Sequence, residues 1–152
     1  RAEFVHEAKV RQAKGPAAPP PPAPLTGAAK TLEDAEQLYT ARDLDKAKQL
    51  YMNALQQTDQ RPVHARAYYG LARIAVLQKD PETAERLFQK TLELSPDPQE
   101  KAWVLVYLGR LAGAAGDPGQ AATHFRSALQ VEGASAAARH AAEQGVQQFS
   151  KP

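Results

Sequence analysis

A thirteen-residue pattern recurs three times along the chain at a constant spacing of 37 residues. Each copy begins with aspartate and places alanine, an aromatic residue and leucine at its fifth, ninth and thirteenth positions. The copies occupy residues 43–55, 80–92 and 117–129. A period between about 20 and 50 residues is typical of stacked helical units, each too small to bury its apolar face alone. The repeat therefore predicts one continuous core shared by three units.

Apolar spacing and boundary residues predict three helix pairs followed by a seventh helix. The predicted pairs are residues 30–41 and 44–57, 62–78 and 81–94, and 98–115 and 118–131. Asp80, Asp97 and Asp117 each precede a proline, a combination that caps and starts a helix. The final segment, residues 134–149 with Ser135 as its cap, predicts a helix that covers the open end of the stack, and the alternative is half of a truncated fourth repeat.

Small residues recur on the face of each second helix that is predicted to point inward. Ala47, Ala84 and Ala121 are equivalent, and each is followed four residues later by an aromatic side chain. We expect these alanines to let the two backbones of a pair approach closely, while the aromatic residue fills the wider end. Gly109, inside a predicted helix, is interpreted in the same way, as a residue of close packing.

The N-terminal part of the chain differs in composition from the repeats. Residues 1–14 can form a short helix of marginal stability, and residues 15–27 form a linker rich in proline and alanine. Four consecutive prolines favour extended polyproline geometry, and a binding sequence for a proline-recognising domain is the alternative interpretation. We expect the deletion of residues 1–24 to leave the melting temperature nearly unchanged. Because the chain begins with Arg1, we expect a fragment or processed product of a longer protein.

The repeated positions carry a resemblance to the tetratricopeptide repeat family, whose signature alternates aromatic, leucine and small residues and ends in proline. The second repeat matches at Tyr68, Leu71, Ala72, Ala75, Ala84, Phe88, Thr91 and Pro96. The third matches at Leu105, Leu108, Gly109, Ala112, Ala121, Phe125 and Ala128, whereas the first matches well only at Ala47, Tyr51 and Ala54. The resemblance covers residues 28–131, with a period of 37 where the family usually has about 34. Residues 132–152 comprise the capping helix and the C-terminal end.

The resemblance implies an all-α fold: a right-handed superhelical stack of antiparallel helix pairs, or tetratricopeptide α-solenoid, with about seven helices. It also implies that the first helix of each pair turns a stripe of side chains toward an inner, concave groove. The candidate groove residues are Glu36 and Tyr39 in the first repeat, Arg66, Tyr69, Arg73 and Val76 in the second, and Trp103, Val106 and Arg110 in the third. Arginine and aromatic residues dominate the energetics of many interfaces, and arginine can bind a carboxylate through two hydrogen bonds.

Two other interpretations of these residues stand beside the groove hypothesis. Arg73 and Arg110 can instead pair with Glu36 or other acids of the same chain, and Trp103 can cover a junction between repeats. Some relatives of this kind bind acidic tails of heat-shock chaperones through a carboxylate clamp. The residues at the clamp positions are Ala29, Glu33, Gly70, Trp103 and Tyr107, so the sequence argues against that role.

The inventory of reactive side chains predicts neither an enzyme nor a cofactor. The chain has no cysteine, no glycine-rich phosphate loop and no nucleophile motif, and its histidines are scattered at His6, His64, His124 and His140. Residues 31–152 carry fourteen basic and fifteen acidic residues, a balance that argues against a nucleic-acid surface. No run approaches the roughly 18 apolar residues of a membrane span.

The sequence therefore predicts a non-catalytic module for protein–protein interaction or scaffolding, with a peptide or protein partner that can be acidic. Two alternatives remain: the C-terminal interaction domain of a larger enzyme such as a peptidase, or a self-assembly module that forms a homo-oligomer through the N-terminal arm or the capping helix. The composition, rich in alanine and proline, suggests a bacterial source. The sequence predicts a soluble chain and does not distinguish the cytoplasm from a bacterial cell envelope as its compartment.

Overall fold

All regular secondary structure in the described part of the chain is α-helical. The computed structural model describes Pro19 and residues 27–150, so the predicted segment 1–14 and nearly all of the predicted linker 15–27 lie outside the described residues. Seven helices follow one another in the described part. They are α1 (Gly27–Thr40), α2 (Leu44–Gln57), α3 (Arg61–Leu77), α4 (Pro81–Glu93), α5 (Pro98–Ala114), α6 (Pro118–Leu129) and α7 (Ala136–Phe149).

The helix ends agree with the predicted ones to within three residues. The largest difference is at α1, which begins at Gly27 rather than at residue 30, so Gly27 is helical and not part of a linker. The predicted aspartate caps are confirmed: the side chains of Asp80, Asp97 and Asp117 each accept a hydrogen bond from the backbone amide three residues later. Ser135 does the same for α7, through the amide of Ala138. These bonds satisfy donors that a helix N-terminus otherwise leaves free.

The turn inside each pair has the same backbone geometry in all three repeats. The residue before the aspartate has a positive φ of 63° at Arg42, 60° at Lys79 and 85° at Gly116. The amide of the following aspartate donates to the carbonyl five residues earlier, at 2.9 Å or 3.0 Å in each case. This pattern ends a helix with a left-handed residue and reverses the chain. Only the third copy supplies the glycine that adopts this conformation without steric cost.

The core lies between the helices and follows the repeat. The aromatic residues of the second helices, Tyr51, Phe88 and Phe125, are at most 2% exposed. The equivalent alanines four residues earlier are 0% exposed, as expected for close backbone contact. Gly109 lies under Phe125, and a Cβ atom there would be 2.8 Å from the Phe125 Cζ atom. The predicted packing role of Gly109 is therefore confirmed.

Two kinds of contact join neighbouring units of the stack. Each second helix packs on the first helix that follows it, and the first helices also approach one another, α1 to α3, α3 to α5, and α5 to α7. The backbones of α2, α4 and α6 do not approach one another closely in the described structure. Because the first helices are closer together than the second helices, they form the inner wall of the stack. This wall, made of α1, α3, α5 and α7, is the surface on which the candidate groove residues were predicted.

Candidate functional site

Two charged residues of the predicted groove pair with each other across the repeats. Glu36 on α1 and Arg73 on α3 are 37 residues apart and occupy equivalent positions. The Arg73 Nη2 atom donates to both carboxylate oxygens of Glu36, at 2.8 Å and 2.7 Å. The hydroxyl of Tyr51 donates to the Glu36 Oε2 atom at 2.6 Å. The pairing alternative is therefore the correct one for Arg73.

Aromatic rings enclose this ion pair. The guanidinium carbon of Arg73 lies 4.2 Å from the centre of the Tyr39 ring and 4.6 Å from that of Tyr69. The Arg73 side chain is only 12% exposed. Burial opposes ionisation of Glu36, but the hydrogen bonds from Arg73 and Tyr51 outweigh it and lower the pKa of Glu36. Arg73 is thus a structural residue between two repeats and not the solvent-facing anchor that its stripe position predicted.

Arg110, one repeat further along, has different surroundings. Its side chain is exposed, and it forms no ion pair or hydrogen bond with any described residue. The nearest ring is that of Tyr107, whose centre is 5.9 Å from the Arg110 guanidinium carbon. The equivalent residue of α7 is Gln147, which brings no charge to pair with Arg110. Arg110 is therefore available to a carboxylate from another molecule.

Arg110 borders a pocket of about 400 Å³ between α5 and α7, which we call the Arg110 pocket. Its wall combines aromatic rings, glycines and amide side chains: Arg110, Gly113, Ala114, Phe125, Ala141, Gln144, Gly145, Gln148 and Phe149. A Cβ atom at Gly113 would overlap the Phe149 ring, and one at Gly145 would overlap the Phe125 ring. The missing side chains at the two glycines thus let the two stacked phenylalanine rings, 6.0 Å apart, lie against the helices.

Two of the three predicted groove aromatic residues meet around one residue that the sequence stripe omitted. Tyr107 lies 6.3 Å from Tyr69 and 6.4 Å from Trp103, measured between ring centres. It also stacks on Phe88 at 5.0 Å. Burial raises the pKa of the Tyr107 hydroxyl. Tyr107 lies one residue after Val106 and therefore outside the predicted stripe. The sequence signal that could have placed it in the groove is its pairing with Phe88, the aromatic residue of the preceding second helix.

One predicted groove residue belongs to the core instead, and another is half-buried. Val106 is 0% exposed and packs with residues of α6 and α7, so it contributes no side chain to the groove. Val76 on α3 is half-buried against the cluster around Phe88. Val106 is enclosed because α5 has neighbours on nearly every side, since it contacts α3, α4, α6 and α7. The predicted groove stripe of α5 therefore faces another helix, and not solvent, along part of its length.

A buried acid that the sequence did not single out lies beside the ion pair. Glu100, in the first turn of α5, is 8% exposed, and its Oε1 atom has no hydrogen-bond partner within the described structure. Burial and the neighbouring Asp97 raise the pKa of Glu100 to about 7, although Arg66 and Arg73 oppose the shift. In the sequence it is an ordinary acid in the first turn of a helix, a position where acids are common. Only the tertiary structure shows that it is enclosed.

Other kinds of site find little support in the described residues. Among them, no group of three or more acidic or histidine side chains is placed to hold a metal ion. None of the described helices is long and apolar enough to cross a membrane. On the concave face, the structure offers two candidate sites, one around Arg110 and one around Glu100.

Comparisons with known proteins agree with this fold. The fold is an α-helical repeat stack, and the chain resembles the C-terminal TPR-containing domain of an FK506-binding protein from Plasmodium falciparum. That likeness has a TM-score of 0.61 and 18% sequence identity, over 82% of this chain and 89% of the other. The family profile described as tetratricopeptide repeat matches residues 28–97. These residues therefore belong to the tetratricopeptide repeat family. A comparison with curated proteins gave no match.

Proposed function

We propose that this protein is a non-catalytic binding module that holds an acidic segment of a protein partner on its concave face. The family supports the general role, because tetratricopeptide repeats are typically protein-interaction modules. The observation that carries the acidic preference is the difference between the two equivalent arginines. Arg73 is neutralised by Glu36 at 2.7 Å, whereas the exposed Arg110 has no acidic partner among the described residues.

The surroundings of Arg110 supply the other contacts that such a segment needs. The Arg110 pocket offers the amide groups of Gln144 and Gln148 beside the ring of Phe149. On the other side of Arg110, Tyr107 and Trp103 provide half-buried aromatic surface. A carboxylate bound to Arg110 would thus have apolar and hydrogen-bonding surface on both sides, a combination found at interface hot spots.

The test uses an acetylated and amidated tetraglutamate peptide as the acidic probe and a tetraglutamine peptide as its uncharged match. We expect the first to bind and the second to bind much more weakly, with a salt dependence that reflects partly exposed charges. Arg110→Glu should reduce the affinity by roughly 1–3 kcal/mol, the range for a charge-assisted contact. The measurement is isothermal titration calorimetry.

The matched control is Arg139→Glu, which makes the same charge change on an exposed residue that does not line the Arg110 pocket. Its affinity for tetraglutamate should equal that of the unmodified protein. Equal losses in both variants would show that the peptide senses only overall charge, and the proposal would then be wrong. The enzyme-domain and self-assembly alternatives stay predictions.

A further inference from the structure

A second concave-face cavity lies deeper than the Arg110 pocket, between α1, α3 and α5. Its volume is about 180 Å³. Its wall is formed by Leu32, Glu36, Tyr51, Arg66, Tyr69, Arg73 and Glu100, and we call it the Glu100 cavity. One water molecule occupies about 30 Å³ in the liquid, so the cavity has room for a small polar group.

Several polar groups at the cavity have no partner among the described residues. Both the Oε1 atom of Glu100 and the Nε atom of Arg73 are buried without a hydrogen bond. The hydroxyl of Tyr69, whose ring lines the same cavity, also makes no hydrogen bond within the described structure. Buried polar atoms are rarely left without a partner, because each one costs about 1–3 kcal/mol. Glu100 is 8% exposed, lines this cavity and makes no side-chain hydrogen bond with a described residue, which indicates a site that is completed by a bound group.

The charges around Glu100 decide which chemistry fits. From α3 it is faced by Arg66 and Arg73, from α1 by Glu36, and from its own helix end by Asp97. Glu36 already neutralises Arg73, while Arg66 is exposed and has no acidic partner among the described residues. If Glu100 is protonated, the cavity carries the net positive charge of Arg66 and presents donors from Arg66, Arg73, Tyr69 and Glu100. A carboxylate is the acceptor that would satisfy such a set.

We propose that the Glu100 cavity binds a carboxylate of the acidic partner and that Glu100 takes up a proton from solvent when this carboxylate enters. The bound carboxylate accepts hydrogen bonds from Arg66 and from the protonated Glu100. This inference rests on the proposed function, since it requires an acidic partner on the concave face. It adds a second anchor and makes binding depend on pH.

An ammonium group fits the same cavity poorly. It would have to lie beside the positive charges of Arg66 and Arg73, and its donors would compete with that of Arg66 for the carboxylate of Glu100. The arrangement therefore favours an acceptor group over a donor group.

Calorimetry with the tetraglutamate peptide tests this coupling directly. Burial gives Glu100 a pKa of about 7, so its protonated fraction falls about tenfold between pH 6 and pH 8. The peptide carboxylates, with a pKa near 4.3, stay ionised over this range. We expect the affinity to fall by about tenfold in the same interval. Titrations at neutral pH in two buffers of different ionisation enthalpy should show an uptake of about half a proton per bound peptide.

The variant Glu100→Gln keeps the shape and the donor of the protonated acid but cannot titrate. It should bind tetraglutamate with no proton uptake and no pH dependence from this site, and about tenfold more tightly than the unmodified protein at pH 8. Arg66→Gln should weaken binding, whereas Arg110→Gln should weaken binding but leave the proton uptake intact. A tetralysine peptide should not bind.

The outcomes separate this inference from the proposed function. Suppose that tetraglutamate binds and that this binding depends on Arg110. If proton uptake is then the same in Glu100→Gln as in the unmodified protein, or is absent from both, the carboxylate site is overturned and the proposed function stands. Failure of tetraglutamate to bind would overturn both. Tight binding of tetralysine that is lost in Glu100→Gln would show that the cavity receives a cation and would also overturn the inference.

Discussion

At the residue scale, equivalent positions of the repeat carry different roles because their neighbours differ. Arg73 lies between Glu36 and two tyrosine rings, whereas Arg110, one repeat later, is followed by the uncharged Gln147. The same residue type at the same position is thus structural in one repeat and free for a ligand in the next. The position one repeat before Arg73 is Glu36, whereas the positions 37 residues before and after Arg110 are Arg73 and Gln147, and neither of these carries a carboxylate.

Replacing the two arginines by glutamate should therefore have unequal effects on stability. Arg73→Glu places a second carboxylate beside Glu36 in a half-buried site, and we expect a loss of about 2–4 kcal/mol, somewhat below the usual cost of breaking a fully buried pair. Arg110→Glu should change the free energy of unfolding by less than about 0.5 kcal/mol, as is usual for exposed residues. Urea unfolding curves of the two variants check this, and equal stabilities would contradict the assigned roles.

Glu100 should make the stability of the protein depend on pH. Its pKa is about 7 in the folded state and near its ordinary value of about 4.5 in the unfolded chain. Because the folded state holds the proton more tightly, the stabilisation is complete below about pH 4.5 and is lost as the pH rises through about 7. The loss between pH 5 and pH 8 should be roughly 2 kcal/mol. Glu100→Gln should remove this component, so the difference between the two unfolding free energies should grow in favour of the variant as the pH rises. A constant difference would show that Glu100 titrates normally.

At the scale of single helices, the aspartate caps are not equivalent either. Asp117 accepts a hydrogen bond from the Gln120 amide at 3.0 Å, whereas Asp43, at the corresponding place before α2, makes no side-chain capping bond. Both precede a helix in the same sequence pattern, but only Asp117 is followed by proline. The aspartate–proline pattern predicted a cap at Asp117 and made no such prediction at Asp43.

The variant Asp117→Ala should cost about 1 kcal/mol of stability, the typical value for a capping side chain. Asp43→Ala is the matched control, and we expect a loss of only a few tenths of a kcal/mol from its exposed contact with Lys46. Thermal melts of both variants give the comparison. If Asp43→Ala proves as costly as Asp117→Ala, the capping hydrogen bond of Asp117 is not the source of its stabilising effect.

At the scale of the whole molecule, each helix packs mainly on its neighbours in the chain, so stability is shared along the stack. The central second helix, α4, contributes Phe88, which is fully buried and stacks on Tyr107 of the next repeat. Removing the Phe88 ring therefore weakens the contact between the second and third repeats as well as the packing of α3 on α4.

We expect Phe88→Ala to lower the free energy of unfolding by about 3–5 kcal/mol, the usual cost of deleting a buried aromatic ring. Gln89→Ala, an exposed position on the same helix, is the control and should be nearly neutral. Circular dichroism melts of Phe88→Ala should show a single transition of the whole stack at a lower temperature than that of the unmodified protein. An unchanged midpoint for Phe88→Ala would contradict the placement of this ring in the core.

The sequence alone determined the features that depend on spacing within one chain segment. The period of 37, the aspartate–proline starts and the alanine–aromatic stripe predicted seven helices, with ends within three residues of those observed, because helix periodicity and capping are local properties. The fold class followed from the same repeats, since units of this size must stack to bury their apolar faces.

The tertiary structure alone decided which stripe residues face solvent. It placed Val106 in the core, paired Arg73 with Glu36, brought Tyr107 among the aromatic residues and enclosed Glu100. Each of these outcomes depends on which helix of another repeat lies opposite, and helical periodicity carries no information about that neighbour. Burial and pairing are properties of two or more segments together, so the candidate site became visible only when the repeats were stacked.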